Sequence, residues 1–354
     1  MNIKRLDYID LAKGLGMLTI MWGHIHTGVS TQLVYAFHIP LFFFLSGLVF
    51  SRQRYANFGV FLKKRWKGLI FPYIVFSLLT WAVWAAYSYV THTSVESYWT
   101  PLLQTFIAQG SEGYLVHNVP LWFVMCLFSV EVIYYFTSKL KTFWNILLSL
   151  TLGAVGAWMS VTDVYDFSVL PWSIDVALMA LPFYAIGSLT NQYIGHKRIT
   201  SAVEKHRGIA VLLLIVAAAV LYVGGTSNGQ VSMGHAYLGK NLTVFYLVAL
   251  CGIAAFMVLC LLVTSHKSLD SSRIIGSGVS FGKNSFRAMA IHNPVKGFII
   301  VLLAKATHSS TSAVHGGLLT SIVAFVLTLV VTVLIIKAIE LILQKTLKRN
   351  SILP

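Results

Sequence analysis

The chain has 354 residues, 57% of them hydrophobic and 10% charged, and its mean hydropathy is +0.76. That balance excludes a soluble globular domain and describes an all-α polytopic integral membrane protein. The formal net charge of +15 does not point to nucleic acid, because the lysines and arginines gather in alternate loops.

Ten apolar windows of about 20 residues fit a bilayer core. They fall at 9–28, 34–51, 69–90, 119–137, 143–161, 169–190, 208–224, 241–264, 286–304 and 317–343. The segments 1–8, 52–68, 138–142, 191–207, 265–285 and 344–354 hold twenty of the 26 Lys and Arg residues. The opposite loops hold only Lys240 and Lys305. This asymmetry predicts a multi-pass protein of the plasma membrane with both termini in the cytoplasm. Lys4-Arg5 is followed by no clean apolar core and no small-residue cleavage site, so the first window reads as an uncleaved span. No loop is long enough for a soluble domain, and 1–354 reads as one membrane domain. There are no internal repeats, no P-loop and no dinucleotide fingerprint.

The first window carries Asp10, Lys13 and His24. Eleven residues of helix turn through about 1,100°, which is three turns plus about 20°, and rise about 16 Å. Lys13 and His24 therefore share one face, with Asp10 one turn below Lys13. Ionisable groups inside lipid mark functional sites. The second window opens with Ala36-Phe37-His38-Ile39-Pro40-Leu41-Phe42-Phe43-Phe44-Leu45-Ser46-Gly47. A short connection makes the two windows a hairpin, so His24 and His38 lie at similar depth in the outer half. One membrane histidine is explained by a structural hydrogen bond; two beside a Lys/Asp seam point to chemistry. No carboxylate or thiol lies nearby in sequence to complete a zinc site, and no metal is expected. Cys126, Cys251 and Cys260 sit in apolar windows without disulfide or metal-ligand spacing.

The third window follows Lys63-Lys64-Arg65-Trp66-Lys67 and begins near Phe71-Pro72-Tyr73. The basic run suits a topology anchor on lipid phosphates or a cradle for an anionic cytosolic donor. The outer loop 91–118 has no Lys or Arg but carries Tyr98, Trp99, Gln104, Gln109, Glu112, His117 and Asn118. Such groups suit sugar hydroxyls and equally a membrane interface. The fourth window opens with Leu121-Trp122-Phe123 and carries Glu131, and the sixth carries Asp175. Before the ninth comes Gly276-Ser277-Gly278-Val279-Ser280-Phe281-Gly282-Lys283-Asn284-Ser285, where glycines and a lysine could hold phosphate. The plainer reading makes Asn284 or Ser285 an N-cap. The ninth window then carries Arg287, His292, Asn293 and Lys296. Charges in lipid pair. Asp10 with Lys13, Glu131 with Arg287, and Lys337 with Glu340 are the pairs the sequence suggests.

Together these stretches resemble the membrane-bound acyltransferase-3 family, in particular its fucose O-acetylase and polysaccharide O-acyltransferase branch. The matching pieces are Ile9-Asp10-Leu11-Ala12-Lys13-Gly14 leading to Gly23-His24, then Phe37-His38 through Ser46-Gly47, and Lys64-Arg65 through Pro72-Tyr73. They continue with Leu121-Trp122-Phe123, Phe183-Tyr184-Ala185-Ile186-Gly187, and Phe281-Gly282-Lys283-Asn284-Ser285 to His292. One departure is Arg287-Ala-Met-Ala-Ile-His292, where the family tends to carry a Leu and an aromatic before the histidine.

The resemblance implies transfer of an acyl group, acetyl foremost, from cytosolic acyl-CoA to a hydroxyl of a cell-surface or lipid-linked glycan, beside glycan-synthesis machinery. In that setting His24 is the expected base, worth about 10²–10⁴-fold on a poor hydroxyl nucleophile. His38 would orient it or donate to the oxyanion. Lys13 and Asp10 would lie nearer the donor's entry. Lys64, Arg65, Lys283, Asn284, Ser285 and Arg287 are expected to hold acyl-CoA, and Trp122, Phe123, Glu131, Asp175 and His292 the acceptor. The main competing reading is a polysaccharide or solute transporter using the Asp/Lys/His seam as a proton or substrate path. A sensor or synthase scaffold is a third.

Overall fold

The computed structural model describes residues 7–111, 113–162, 170–265 and 273–350, with side chains described through 345. Lys4, Arg5 and Glu112 lie outside these residues. The protein is an all-α polytopic membrane protein. Among the described residues, nine helices are long and apolar enough to cross a membrane. The first expected span is a further helix, α1 (Asp7–Ile25), whose Asp7, Asp10, Lys13 and His24 make it more polar than those nine.

Several window boundaries move, for local reasons. The second span is two helices, α2 (Val29–Tyr35) and α3 (His38–Leu48). Pro40 lacks an N–H, and its ring would strike the Ala36 carbonyl in a continuous helix, so the chain breaks at Phe37 (φ −138°, ψ −17°). The third span starts early, at α4 (Phe58–Arg65), where the Asn57 side chain accepts from the Val60 N–H at 2.9 Å. It runs through a π turn at Trp66–Ile70 into α5 (Phe71–Val90). Pro72 cannot bond to the Gly68 carbonyl, and the π turn falls across that gap.

A short helix, α6 (Thr100–Ile107), sits in the long loop and is followed by α7 (Trp122–Thr137), α8 (Thr142–Met159) and α9 (Ile174–Tyr193). Then come α10 (His196–Lys205), α11 (Arg207–Asn228) and α12 (Leu242–Thr264). The chain ends in α13 (Arg273–Lys283), α14 (Ser285–Ala306), α15 (Thr311–Gly316) and α16 (Leu318–Asn350).

Helix α1 is surrounded by α2, α3, α12, α13, α14 and α16. These neighbours keep its polar face away from lipid, which is how a helix with three acidic or basic side chains in its first seven residues remains in the bundle. Helices α5 and α11 lie outside and present exposed apolar side chains such as Leu79, Val83, Leu212 and Ile215. Glycines set two close crossings. A Cβ at Gly47 of α3 would overlap the Tyr184 carbonyl oxygen, and one at Gly187 of α9 the Phe44 carbonyl oxygen. A Cβ at Gly14 would likewise meet Gly278, and one at Gly282 the Asp10 carbonyl. Small residues let membrane helices approach backbone to backbone.

Candidate active site

A cavity of about 540 Å³ runs beside α1. That volume lies within the usual range for small-molecule sites, about 300–1,000 Å³. Helix α1 contributes Lys13, Met17, Ile20 and His24, whose spacings of four, three and four residues form one helical stripe. Towards the end that also bears Lys63, Lys64 and Lys283, the walls are Lys13, Ser46, Gly68, Leu69, Ser285 and Phe286. At the other end they are Gly110, Pro120, Trp122 and the turn Ser232–His235.

The middle is a cluster of nitrogen-bearing side chains. The Tyr35 hydroxyl lies 3.1 Å from His24 Nδ1. The His24 ring stacks on His292, with centroids 5.5 Å apart and planes inclined by 30°. Tyr35 also meets His38 edge to face at 4.9 Å. Tyr35 and His38, three residues apart on either side of the break between α2 and α3, both line the cavity wall. His38 Nδ1 donates to the Val34 carbonyl at 2.9 Å, and His292 Nδ1 donates to the carbonyls of Ala288 (3.0 Å) and Met289 (2.9 Å). In the neutral form both rings therefore keep a lone pair on Nε2. Asn293 and Lys296 line the cavity one face along from His292.

Pro294 leaves the Ala290 carbonyl of α14 without its helical N–H. The buried Asn118 side chain fills that place, donating to Ala290 O at 2.7 Å. This bond ties the loop before Trp122 to the helix that carries His292 and Lys296. In the same loop His117 is buried with both ring nitrogens unpartnered, and burial pushes its pKa down to about 4.

Of the residues singled out in the sequence, Lys13, His24, His38, Ser285, Trp122 and Phe123 line the cavity, and His292 backs it. Asp10 is buried on α1 where α13 crosses it, away from the cavity wall. Asp175 is buried in the first turn of α9, where its carboxylate accepts from the Val176 N–H, and it does not reach the cavity. The expected Glu131–Arg287 pair is not formed. Arg65 Nε approaches Glu131 at 2.7 Å, a buried ion pair flanked by the Tyr55 and Tyr184 hydroxyls. Arg287 reaches Glu340 at 3.3 Å and Asn284 at 2.7 Å, so Glu340 serves Arg287 in place of the local pairing suggested with Lys337. Lys64 donates to the Arg54 carbonyl at 3.0 Å. Lys64, Arg65, Lys283, Asn284 and Arg287 thus stand outside the cavity wall.

The glycine run before Ser285 is helical, not a phosphate-binding loop: Gly278 and Gly282 face α1. Asn284 sits at the N-cap position of α14, but its side chain accepts from Arg287 and does not cap.

The order of these features along the chain matches a known pattern. The model of the acyltransferase-domain family designated acyltransferase-3 matches residues 6–337. The chain belongs to the acyltransferase-3 family. Neither the curated proteins nor the solved structures offer a match to it. The family match covers every residue of the cavity wall, so the cavity belongs to the acyltransferase domain. Three of the acyltransferase's wall residues carried no local signal in sequence. Tyr35 has no motif around it, and Ser232 and His235 lie in a turn 208 and 211 residues beyond His24.

Proposed function

We propose that this acyltransferase moves an acyl group, acetyl foremost, from cytosolic acyl-CoA to a hydroxyl of a cell-surface or lipid-linked glycan. The observation that carries the reading is the cavity itself, which joins the basic end of the bundle to His24 and continues to an aromatic and hydroxyl-bearing end. The charge asymmetry of the loops supports a cytoplasmic basic end, with both termini on that side of the plasma membrane. On this reading the pantetheine arm enters past Ser285 and Lys13 and lies along Met17 and Ile20. The acceptor enters at Trp122 and the turn Ser232–His235, and partner enzymes of glycan synthesis supply it.

His24 acts as the base. Its Nδ1–H donates to the Tyr35 oxygen, which leaves Nε2 free to take the hydroxyl proton. His292, stacked beneath, fixes the ring plane. Trp122 offers an apolar face to the sugar ring, backed by Gly234.

Purified protein in nanodiscs tests this. Acetyl-CoA should release free CoA thiol when membrane glycan extracts are added, and His24→Ala should lower that rate by about 10²–10⁴-fold with an unchanged thermal unfolding profile. A folded His24→Ala variant with a near-normal rate would contradict the base role.

A further inference from the structure

Acyl transfer places negative charge on the thioester oxygen, and that charge needs hydrogen-bond donors. The histidines near His24 do not supply one. The Nδ1–H groups of His38 and His292 are taken by backbone carbonyls, and as neutral rings they present only lone pairs at Nε2. The Tyr35 oxygen accepts from His24 Nδ1–H, so its own hydroxyl is a neutral donor, weaker toward an oxyanion than a charged one. His38, the donor the sequence suggested, is therefore set up to accept.

Lys296 and Asn293 are different. Both line the cavity from α14, three residues apart, with Lys296 one helical turn (four residues) beyond His292. Lys296 forms no hydrogen bond and no ion pair among the described residues. Among the described residues, no Asp or Glu lines the cavity. Lys296 lies one helical turn along α14 from His292, whose ring stacks on His24, which places it beside the reacting centre. Lys13, the other cation on the wall, is eleven residues down α1, about 16 Å away along the axis. Water can solvate the ammonium while the cavity is empty. Once donor and acceptor displace that water, an anion must replace it.

We propose that Lys296, assisted by Asn293, is the oxyanion donor of the reaction; this rests on the acyl-transfer reading above. His24 Nε2 takes the proton of the acceptor hydroxyl as its oxygen bonds to the thioester carbon. The carbonyl π pair moves to oxygen, and the resulting oxyanion faces the Lys296 ammonium. Collapse re-forms the carbonyl and breaks the C–S bond, and the thiolate takes the proton back from His24. The ester and CoA thiol leave, and Lys296 keeps its proton throughout. The Asn118 bond to Ala290, beside Pro294, fixes the turn of α14 that holds both donors.

The test uses two stable CoA thioethers on the full-length protein in nanodiscs. S-carboxymethyl-CoA carries a carboxylate next to the position of the developing oxyanion, and S-ethyl-CoA is its neutral counterpart. The wild type should bind S-carboxymethyl-CoA about tenfold more tightly. Lys296→Met should abolish that preference and leave S-ethyl-CoA affinity unchanged, and Lys296→Arg should retain much of it. Equal affinity for the two in the wild type, or a preference that survives Lys296→Met, overturns the assignment while the acyl-CoA reading stands. If folded wild type binds neither thioether, the acyl-CoA reading itself falls and the assignment with it.

Discussion

Arg65 and Glu131 show how a buried charge constrains the role of its partner. The Glu131 side chain is 5% exposed and that of Arg65 is 22% exposed, and the two meet as an ion pair. Removing one partner of such a pair strands the other in low dielectric, at a cost of about 3 kcal/mol. Arg65→Ala should therefore lower the thermal unfolding temperature sharply, and adding Glu131→Ala should recover part of the loss. Unchanged stability with a raised KM for acyl-CoA would instead return Arg65 to the donor site. The sequence reading paired Glu131 with Arg287 and gave Arg65 to the donor or to lipid phosphates, because only the fold reveals which helices neighbour Glu131. Spacing along α1 was different: the shared face of Lys13 and His24 follows from helix geometry alone, and both line the cavity. His117 makes a second prediction at this scale. Burial lowers its folded pKa from 6.5 to about 4, so folding favours the neutral ring. Its contribution is whole above pH 6.5 and is lost as the pH falls towards 4. His117→Phe should lose less stability than the wild type between pH 7 and pH 5 in unfolding measurements.

Between helices, glycines and prolines account for most of what moved relative to the sequence reading. Hydropathy windows located the apolar stretches well but not their breaks. Pro40 divides the second span just after Tyr35, whose hydroxyl lies 3.1 Å from His24 Nδ1. The glycines of α13 resembled a phosphate loop because glycine serves close approach in both settings; here the approaching group is the backbone of α1. The α3–α9 crossing has the same character, with Gly47 and Gly187 facing each other's partner backbone. Gly47→Leu should push α9 away and destabilise the protein by about 1–3 kcal/mol, while an equivalent change at Gly68, where an added Cβ would meet no described atom beyond its own helix backbone and chain neighbours within 4 Å, should be much milder. Comparison of the two unfolding temperatures in one detergent reads the difference. Equal losses would mean that the crossing is not tightly packed.

As a whole, the molecule surrounds α1, with its Asp10, Lys13 and His24, by six other helices and turns the apolar faces of α5 and α11 outward. The polar seam of α1 then borders an internal cavity, and the basic loops mark one end of it. The all-α membrane class was legible from composition and charge distribution. How the rest of the cavity wall comes together was not, because Trp122, the turn Ser232–His235 and Lys296 come from three separate stretches of chain joined only by packing. The central claim is that this cavity carries an acyl donor from the basic end to His24. Electron cryomicroscopy of the full-length protein with CoA tests it most directly. Density for the pantetheine arm along Lys13, Met17 and Ile20, with the thiol within about 4 Å of the His24 imidazole, is the expected result. CoA bound elsewhere, or an empty cavity under saturating CoA, would contradict it.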